Sequence, residues 1–349
     1  MTVEGILSGK GELIGWHDPD ENREWVRTNK ARSLREKRMT VAEAIARYVK
    51  DGDYIAFGGF GHVRVPMALI YEIIRQRRRD LAIAGKTAVH DLDVLIGAGC
   101  VSRVEAAYSF GHEMRGLSPS GRRAVESGTC RVVAETTNGA YQLRFLAGML
   151  GVPFVPTRSM LGTDTFERSA YKEMRDPWSG KPVCLVPAAY PDVAFFHVPR
   201  CDVYGNAQVE GTLVEDFELA RAARRVIIST EEIVDEAMVR SEPWRTVIPF
   251  YLVDAVCEVR YGAHPTQMPY LYYFDEEHIS EWLEVSRTAE GAGAYMDKYV
   301  FGVADFAEYL AAVGGPPRLR QLEQVENYRA PMEAPWLKNG KKSDKGSRP

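Results

Sequence analysis

Asp51-Gly52-Asp53-Tyr54-Ile55-Ala56-Phe57-Gly58-Gly59-Phe60-Gly61 runs on as His62-Val63-Arg64-Val65-Pro66 into an apolar-periodic segment. Tyr54, Ile55 and Phe57 read as a short strand. It enters three glycines within four residues, and Pro66 stands where a helix takes its first turn. Strand, glycine turn and helix follow one another. Glycine admits positive φ and close approach of a ligand, and the N–H groups at a helix start attract negative charge. The spacing is neither G-x-G-x-x-G nor a P-loop, which would carry a lysine and a hydroxyl residue. Taken alone, the turn reads equally as an anion cradle or as a tight strand-to-helix corner.

The same alternation extends outward. Upstream, Thr40 and Glu43 form a capping box ahead of Val41, Ala44, Ile45, Tyr48 and Val49 at helical spacing, and Gly52 stops that helix. Downstream, Leu69, Ile70, Ile73 and Ile74 give the helix beginning at Pro66 one apolar face, and Leu81 to Ala84 reads as the next strand. Strand, helix and strand in succession build a parallel sheet by right-handed crossover. The predicted class is α/β, a mainly parallel sheet with flanking helices. Further strands are expected at 101–108, 183–187, 193–198, 226–229 and 252–259, and helices at 92–96, before Gly128, at 139–150, at 217–223 and over 276–310. The strand at 101–108 delivers Ser109-Phe110-Gly111-His112-Glu113 to a loop. In parallel sheets the ligand crevice lies beyond the carboxyl ends of strands, so this loop and the Gly58 turn are expected to line one cleft. The polar stretch 158–164 reads as a surface loop or as a flap over a ligand.

The 349 residues accommodate one large α/β unit with appendages, and a composition of 26% charged and 45% hydrophobic residues with net charge -4 gives no reason to expect nucleic-acid or membrane partners. Cys100, Cys130, Cys184, Cys201 and Cys257 contain no C-x-x-C pair, which argues against zinc and a dithiol motif, and reads as reduced thiols in a cytoplasmic protein. Residues 1–38 read as an N-terminal extension, a surface arm or strap. The main domain is expected over 39–325 and a C-terminal tail over 326–349, its end mobile.

Gly58-Gly59-Phe60 with Arg64 and Pro66, then Asp192-Val193-Ala194 with His197, then Gly262-Ala263-His264-Pro265 occur in that order. Over residues 39 to about 325 the chain resembles the A-type (alpha) chain of the family I CoA-transferases, of the glutaconate CoA-transferase kind. The resemblance implies the fold of the CoA-transferase and ribose-phosphate isomerase superfamily. It also implies a separate B-type CoA-transferase chain as partner in a hetero-oligomer such as A2B2, coenzyme A as the acyl-CoA substrate with short or dicarboxylic acids, and no metal or prosthetic group. Such enzymes pass the acyl group through a thioester on a glutamate, carried by the B-type partner in two-chain members. The only likeness to its motif here, Glu126-Ser127-Gly128, precedes a helix-stopping glycine, so no nucleophile is assigned to this chain.

A carboxylate attacking a thioester needs oxyanion donors and a cation for the substrate acid. By the resemblance, the substrate-binding candidates are the backbone of Gly58, Gly59, Phe60 and Gly61 and the fork of Arg64. Ser109 and His112 join them from the second loop, and His264 joins as a substrate contact or a turn lock. The same fold serves thioester-dependent hydrolases and lyases, in which Glu113 or Glu135 would be the general acid or base. Where ring-opening relatives carry a glutamate, the alignment places Asn138, which disfavours ring opening. A third reading is a non-catalytic protein that binds CoA esters.

Overall fold

Thr40 Oγ1 accepts a hydrogen bond from Glu43 N while the Glu43 carboxylate accepts one from Thr40 N, so the helix Val41–Tyr48 begins where the capping box puts it. Its chain then turns into the central sheet of the computed structural model, which describes residues 7–331. Of the expected C-terminal tail, residues 332–349 lie outside the described residues, whereas Gly315–Glu326 is helical.

Twelve strands are present among the described residues: β1 (Tyr54–Phe57), β2 (Leu81–Lys86), β3 (Val101–Ala107), β4 (Arg131–Glu135), β5 (Phe154–Thr157), β6 (Lys172–Arg175), β7 (Pro182–Pro187), β8 (Val193–Cys201), β9 (Ala207–Gln208), β10 (Arg225–Ile233), β11 (Thr246–Ile248) and β12 (Ala255–Glu258). Seven run parallel in the order β12-β10-β8-β1-β2-β3-β4. The α/β expectation, mainly parallel with flanking helices, matches this architecture. β1 and β2 are buried along their whole length, as a sheet covered by helices on both faces requires.

β8 outlasts β1. Ile55 to Phe57 pair with Val193 to Phe195, and once β1 has ended at the glycine turn the short β9 pairs antiparallel with Arg200 and Cys201. The turn therefore opens in the edge of the sheet where one neighbour of β8 leaves and another arrives. Met67–Arg75, buried except for its last residue, packs behind it in a core with Leu92, Leu95 and Trp282.

A second, antiparallel sheet in the order β5-β7-β6 stands apart, and the sequence reading missed β5 and β6. The 158–164 stretch belongs to this subdomain: Met160 is buried and Thr163 caps the helix Asp164–Arg168, so the segment is pinned. The N-terminal extension is no loose arm over its described residues. Gly9 N and Gly11 N donate to Tyr171 O and Ser169 O, both at 2.8 Å, and Pro19–Asn29 is a helix whose cap is Asp18.

Candidate functional site

Three adjacent parallel strands, β1, β2 and β3, end at one side of the sheet, and each delivers a loop there. These loops carry backbone that is costly to build: Arg64, Thr87, Tyr108, Phe110 and Glu113 all have φ between 47° and 64°. Non-glycine residues at positive φ cost of order 1–3 kcal/mol each and gather where a site over-determines them. Two glycines here have steric reasons. A Cβ on Gly58 would stand 2.3 Å from the Phe196 ring, and one on Gly59, at φ 87°, would stand 2.3 Å from Val63 O.

The turn closes on itself. Phe60 N donates to Val63 O at 3.0 Å and Val63 N to Phe60 O at 2.9 Å, leaving Gly61 and His62 at the tip. No acceptor among the described residues takes the N–H of either. The expected oxyanion donors need correction on this point: Gly59 N is committed to Asp216 Oδ1 at 3.2 Å, and Phe60 N to Val63 O. Two free amides remain one and two residues further on, at Gly61 and His62.

Arg64 needs a second correction. Its side chain is 1% exposed and forms a fork on Asp216, at 2.8 and 3.0 Å, with a third bond to Thr212 O at 2.7 Å. A guanidinium so occupied is not the free fork expected for a substrate carboxylate. It ties the glycine turn to the segment before the helix Asp216–Ala222. Although burial alone would raise the Asp216 carboxyl, the Arg64 fork and Gly59 N hold it below its ordinary value.

The unpredicted cation is Lys86, the last residue of β2, whose Nζ lies 5.2 Å from the Phe60 ring centroid and is buried against the Glu215 carboxylate. Burial, opposed by Lys86, pushes Glu215 up to about 7. The sequence signals were a lysine at a strand end and the tandem Glu215-Asp216 before a helix; both acids reach back to the loops after β1 and β2.

Ser109 is occupied: its Oγ donates to Gly85 O and accepts from Ala107 N at 3.3 Å, so it locks the turn between β2 and β3 instead of facing an acyl group. Glu113 is exposed, with Oε1 3.6 Å from where a Cβ on Gly61 would stand, which places a carboxylate beside the free amides. Glu135, at the end of the edge strand β4, is paired with Arg168 at 3.1 Å. Asn138 opens the helix Asn138–Leu150, its Oδ1 buried without a partner.

His112 lies inward, fully buried, in a cluster with His62 and His90; the ring centroids are 5.5 to 6.4 Å apart. The loops after β1, β2 and β3 contribute one histidine each. Five of the six ring nitrogens, His62 Nε2 and both of His90 and His112, make no hydrogen bond among the described residues, although His112 Nε2 lies 3.5 Å from the buried Asp93 carboxylate. Burial, with Arg115 and neighbouring histidines adding to it, holds His62 and His90 well below the ordinary value, so both are neutral imidazoles.

His264 is elsewhere. Its Nδ1 bonds Tyr309 Oη at 2.8 Å and its Nε2 bonds Asp275 at 3.1 Å, and Asp275 also holds Arg318. Both nitrogens are used inside the protein, which is the turn-lock alternative and not a substrate contact.

The same loops expose large apolar side chains: Tyr108 and Met114 are 67% and 74% exposed, and Leu117 and Phe60 are exposed as well. The loops after these strands thus carry two unclaimed amides, a carboxylate and several exposed apolar side chains.

Comparison with known proteins supplies the context. The family profile described as Coenzyme A transferase matches residues 38–259. An uncharacterized protein of Archaeoglobus fulgidus is 59% identical over 334 residues, 96% of this chain and 75% of its own. The A-type chain of glutaconate CoA-transferase from Acidaminococcus fermentans is 34% identical over 83% of this chain and 95% of its own length. The A-type chain of 3-oxoadipate CoA-transferase from Pseudomonas knackmussii is 33% identical over 79% of this chain and 97% of its own. The crystal structure of the Acidaminococcus enzyme superposes with a TM-score of 0.78, at 32% identity, over 82% of this chain and 95% of that one.

Proposed function

We propose, from the premise that the chain belongs to the coenzyme A transferase family, that it is the A-type half of a two-chain acyl-CoA:carboxylate CoA-transferase acting on short or dicarboxylic acids. The observation that carries the reading is the pair of unclaimed amides at Gly61 and His62, set in strained loops that also expose large apolar side chains. Several large exposed side chains of this kind call for a covering surface, and the B-type chain of an A2B2 assembly is the partner that fits. No membrane or nucleic-acid partner enters the reading. No described helix is long and apolar enough to cross a membrane, and the reading places the enzyme in the cytoplasm.

In this reading a glutamate carboxylate of the B-type partner attacks the acyl-CoA carbonyl. The C–S bond breaks, CoA leaves as thiolate, and an acyl-glutamyl anhydride forms. The thiolate then attacks the glutamyl carbonyl and releases the first acid, leaving the glutamyl thioester. The second acid takes CoA by the reverse steps. Each carbonyl addition puts negative charge on one oxygen, and the Gly61 and His62 amides are the donors this chain offers it. The Arg64 to Asp216 fork holds the turn that presents them, a positioning role.

The test is co-expression with the neighbouring reading frame and kinetic assay of the complex. Ping-pong exchange of CoA between acids, with a hydroxylamine-sensitive thioester trapped on the B-type partner, is the expected result. A complex that turns over acyl-CoA without exchange or a trapped thioester would overturn the transferase reading.

A further inference from the structure

The N-terminal ends of the strands, opposite the cleft, hold a feature the transferase reading does not use. The helix Pro19–Asn29 and the segment after it lie over the starts of β1, β8 and β10, and enclose a cavity of about 450 Å³ whose walls include Trp25, Arg35, Arg47, Tyr48, Lys50 and Asp53. Trp25 and Arg35 precede the region matched by the family profile, residues 38–259.

The extension is fixed where it forms the wall. Lys30 Nζ, buried, lies 3.3 Å from Asp254 and donates to Arg224 O at 3.1 Å; Arg224 Nε donates to Asn22 Oδ1 at 3.0 Å. The Trp25 ring stacks beside the Arg224 and Arg225 guanidinium groups at 5.1 and 5.0 Å.

Charge in the cavity does not cancel. Arg224 is paired with Asp192 at 3.5 Å and Arg225 with Asp254 at 2.8 Å, which neutralises both of those aspartates. Arg35, Arg47 and Lys50 have no carboxylate within ion-pair distance among the described residues. Asp53 is the one remaining acid of the wall, and burial raises it to about 6. A second cavity of about 650 Å³ adjoins, sharing Arg35, Arg47, Tyr48 and Asp254 and adding Glu36, Lys37, Arg38 and Glu43, with Arg38 3.3 Å from Glu36.

Three uncompensated cations, two of them planar forks, suit a multiply charged phosphate better than a single carboxylate. The volume falls in the range of small-molecule sites, and Trp25 and Tyr48 line it, with the Arg224, Arg225 and Arg47 guanidinium groups 5.0 to 5.6 Å from their ring centroids. We propose that this cavity binds a phosphate ester of mononucleotide size, with Arg35, Arg47 and Lys50 on its phosphates and Trp25 and Tyr48 beside its base. The site is separate from the cleft: β1 has four residues, about 13 Å of extended chain, between Asp53 and the glycine turn.

The test is titration of the purified full-length protein, with any co-purifying partner, by ADP and by inorganic pyrophosphate, followed by calorimetry and tryptophan fluorescence. Saturable ADP binding is expected, with a fluorescence change absent from Trp25→Phe, weakened at least tenfold in the double variant R35E/R47E. Both arginines are exposed, so the variant is expected to keep its circular dichroism and melting temperature. Should it not fold, Lys50→Gln is expected to weaken binding at least threefold. Tighter binding of ADP than of pyrophosphate supports the role of the aromatic wall; equal affinity overturns it. The proposal falls if neither probe binds, if sodium chloride at matched ionic strength gives the same signal, or if binding persists in R35E/R47E and is displaced by acetyl-CoA. That last result would place the nucleotide in the cleft. None of these readouts depends on transferase turnover, so the proposal stands or falls apart from that activity.

Discussion

Two groups of buried histidines lie on the same chain and differ in every respect that chemistry can use. His264 is satisfied at both nitrogens, by Tyr309 and Asp275, and His278 bonds Tyr295 at 2.8 Å; together they tie the turn at 262–265 to the C-terminal helices. His62, His90 and His112 are equally buried, yet five of their six nitrogens make no hydrogen bond, His112 Nε2 having only the Asp93 carboxylate 3.5 Å away. Leaving a buried polar group unpaired costs about 1–3 kcal/mol. A fold keeps such a cost where packing around a site demands it, and these three lie directly under the loops with the strained backbone.

The sharpest way to break the comparison is to unpair the frame beneath the cleft. Asp216→Ala leaves the Arg64 guanidinium buried without its counter-charge, and a loss of about 3–5 kcal/mol in urea unfolding is expected, with activity lost. A loss under 1 kcal/mol would show the pair to be dispensable. Gly59→Ala places a side chain at φ 87° and against Val63 O; about 2–3 kcal/mol is expected, with kcat falling more than KM rises, because the turn presenting Gly61 and His62 shifts.

His264→Phe removes one partner from Tyr309 and Asp275, and a loss of about 1–3 kcal/mol follows, with exchange kinetics unchanged once the protein is folded. Asp275, which burial alone would raise, is held well below the carboxylate range by His264 and Arg318. Its contribution is present above the unfolded value of 3.8 and is lost as pH falls below it.

The smallest effect is the most telling. His90→Phe removes two orphaned nitrogens and is expected to change stability at pH 8 by less than about 1 kcal/mol. Its mark is on the pH profile. Folded His90 resists protonation, chiefly through burial and then through its histidine neighbours, whereas the unfolded chain takes up that proton near 6.5. Stability is therefore full above 6.5 and declines as pH falls below it, and His90→Phe should flatten that decline between pH 6.5 and 5 in urea midpoints. An unaltered slope would exclude His90 as its source.

Much of the frame was legible along the chain. The capping box at Thr40 and Glu43, the glycine stops at Gly128 and Gly151 and the proline before Met67 act within a few residues, and local rules read them correctly. The edge strand β4 and the strands β5 and β6 were not, because their half-exposed residues carry little hydrophobic contrast. The helical pattern expected over 276–310 resolves into the helices Glu276–Val285, Ala289–Met296 and Phe306–Ala312, with Thr288 and Asp305 capping the later starts, and Trp282, Tyr295, Tyr299 and Tyr309 pack on one another.

At the site, the chain order identified the loops but misassigned their atoms. Arg64 stands beside the glycine turn in sequence, yet whether its fork meets a ligand or a carboxylate depended on Asp216, 152 positions away. Lys86 and Glu215 are equally distant partners, 129 positions apart, and neither is remarkable alone. What the sequence by itself determined was the α/β alternation, the turn that opens the sheet edge and the family likeness, since these follow from periodicity, glycine and motif order. Only the tertiary structure decided which amides stayed free, which histidines went without partners and which cations went uncompensated. Those are questions of who stands opposite whom, and pairing across a folded sheet leaves no mark in local order.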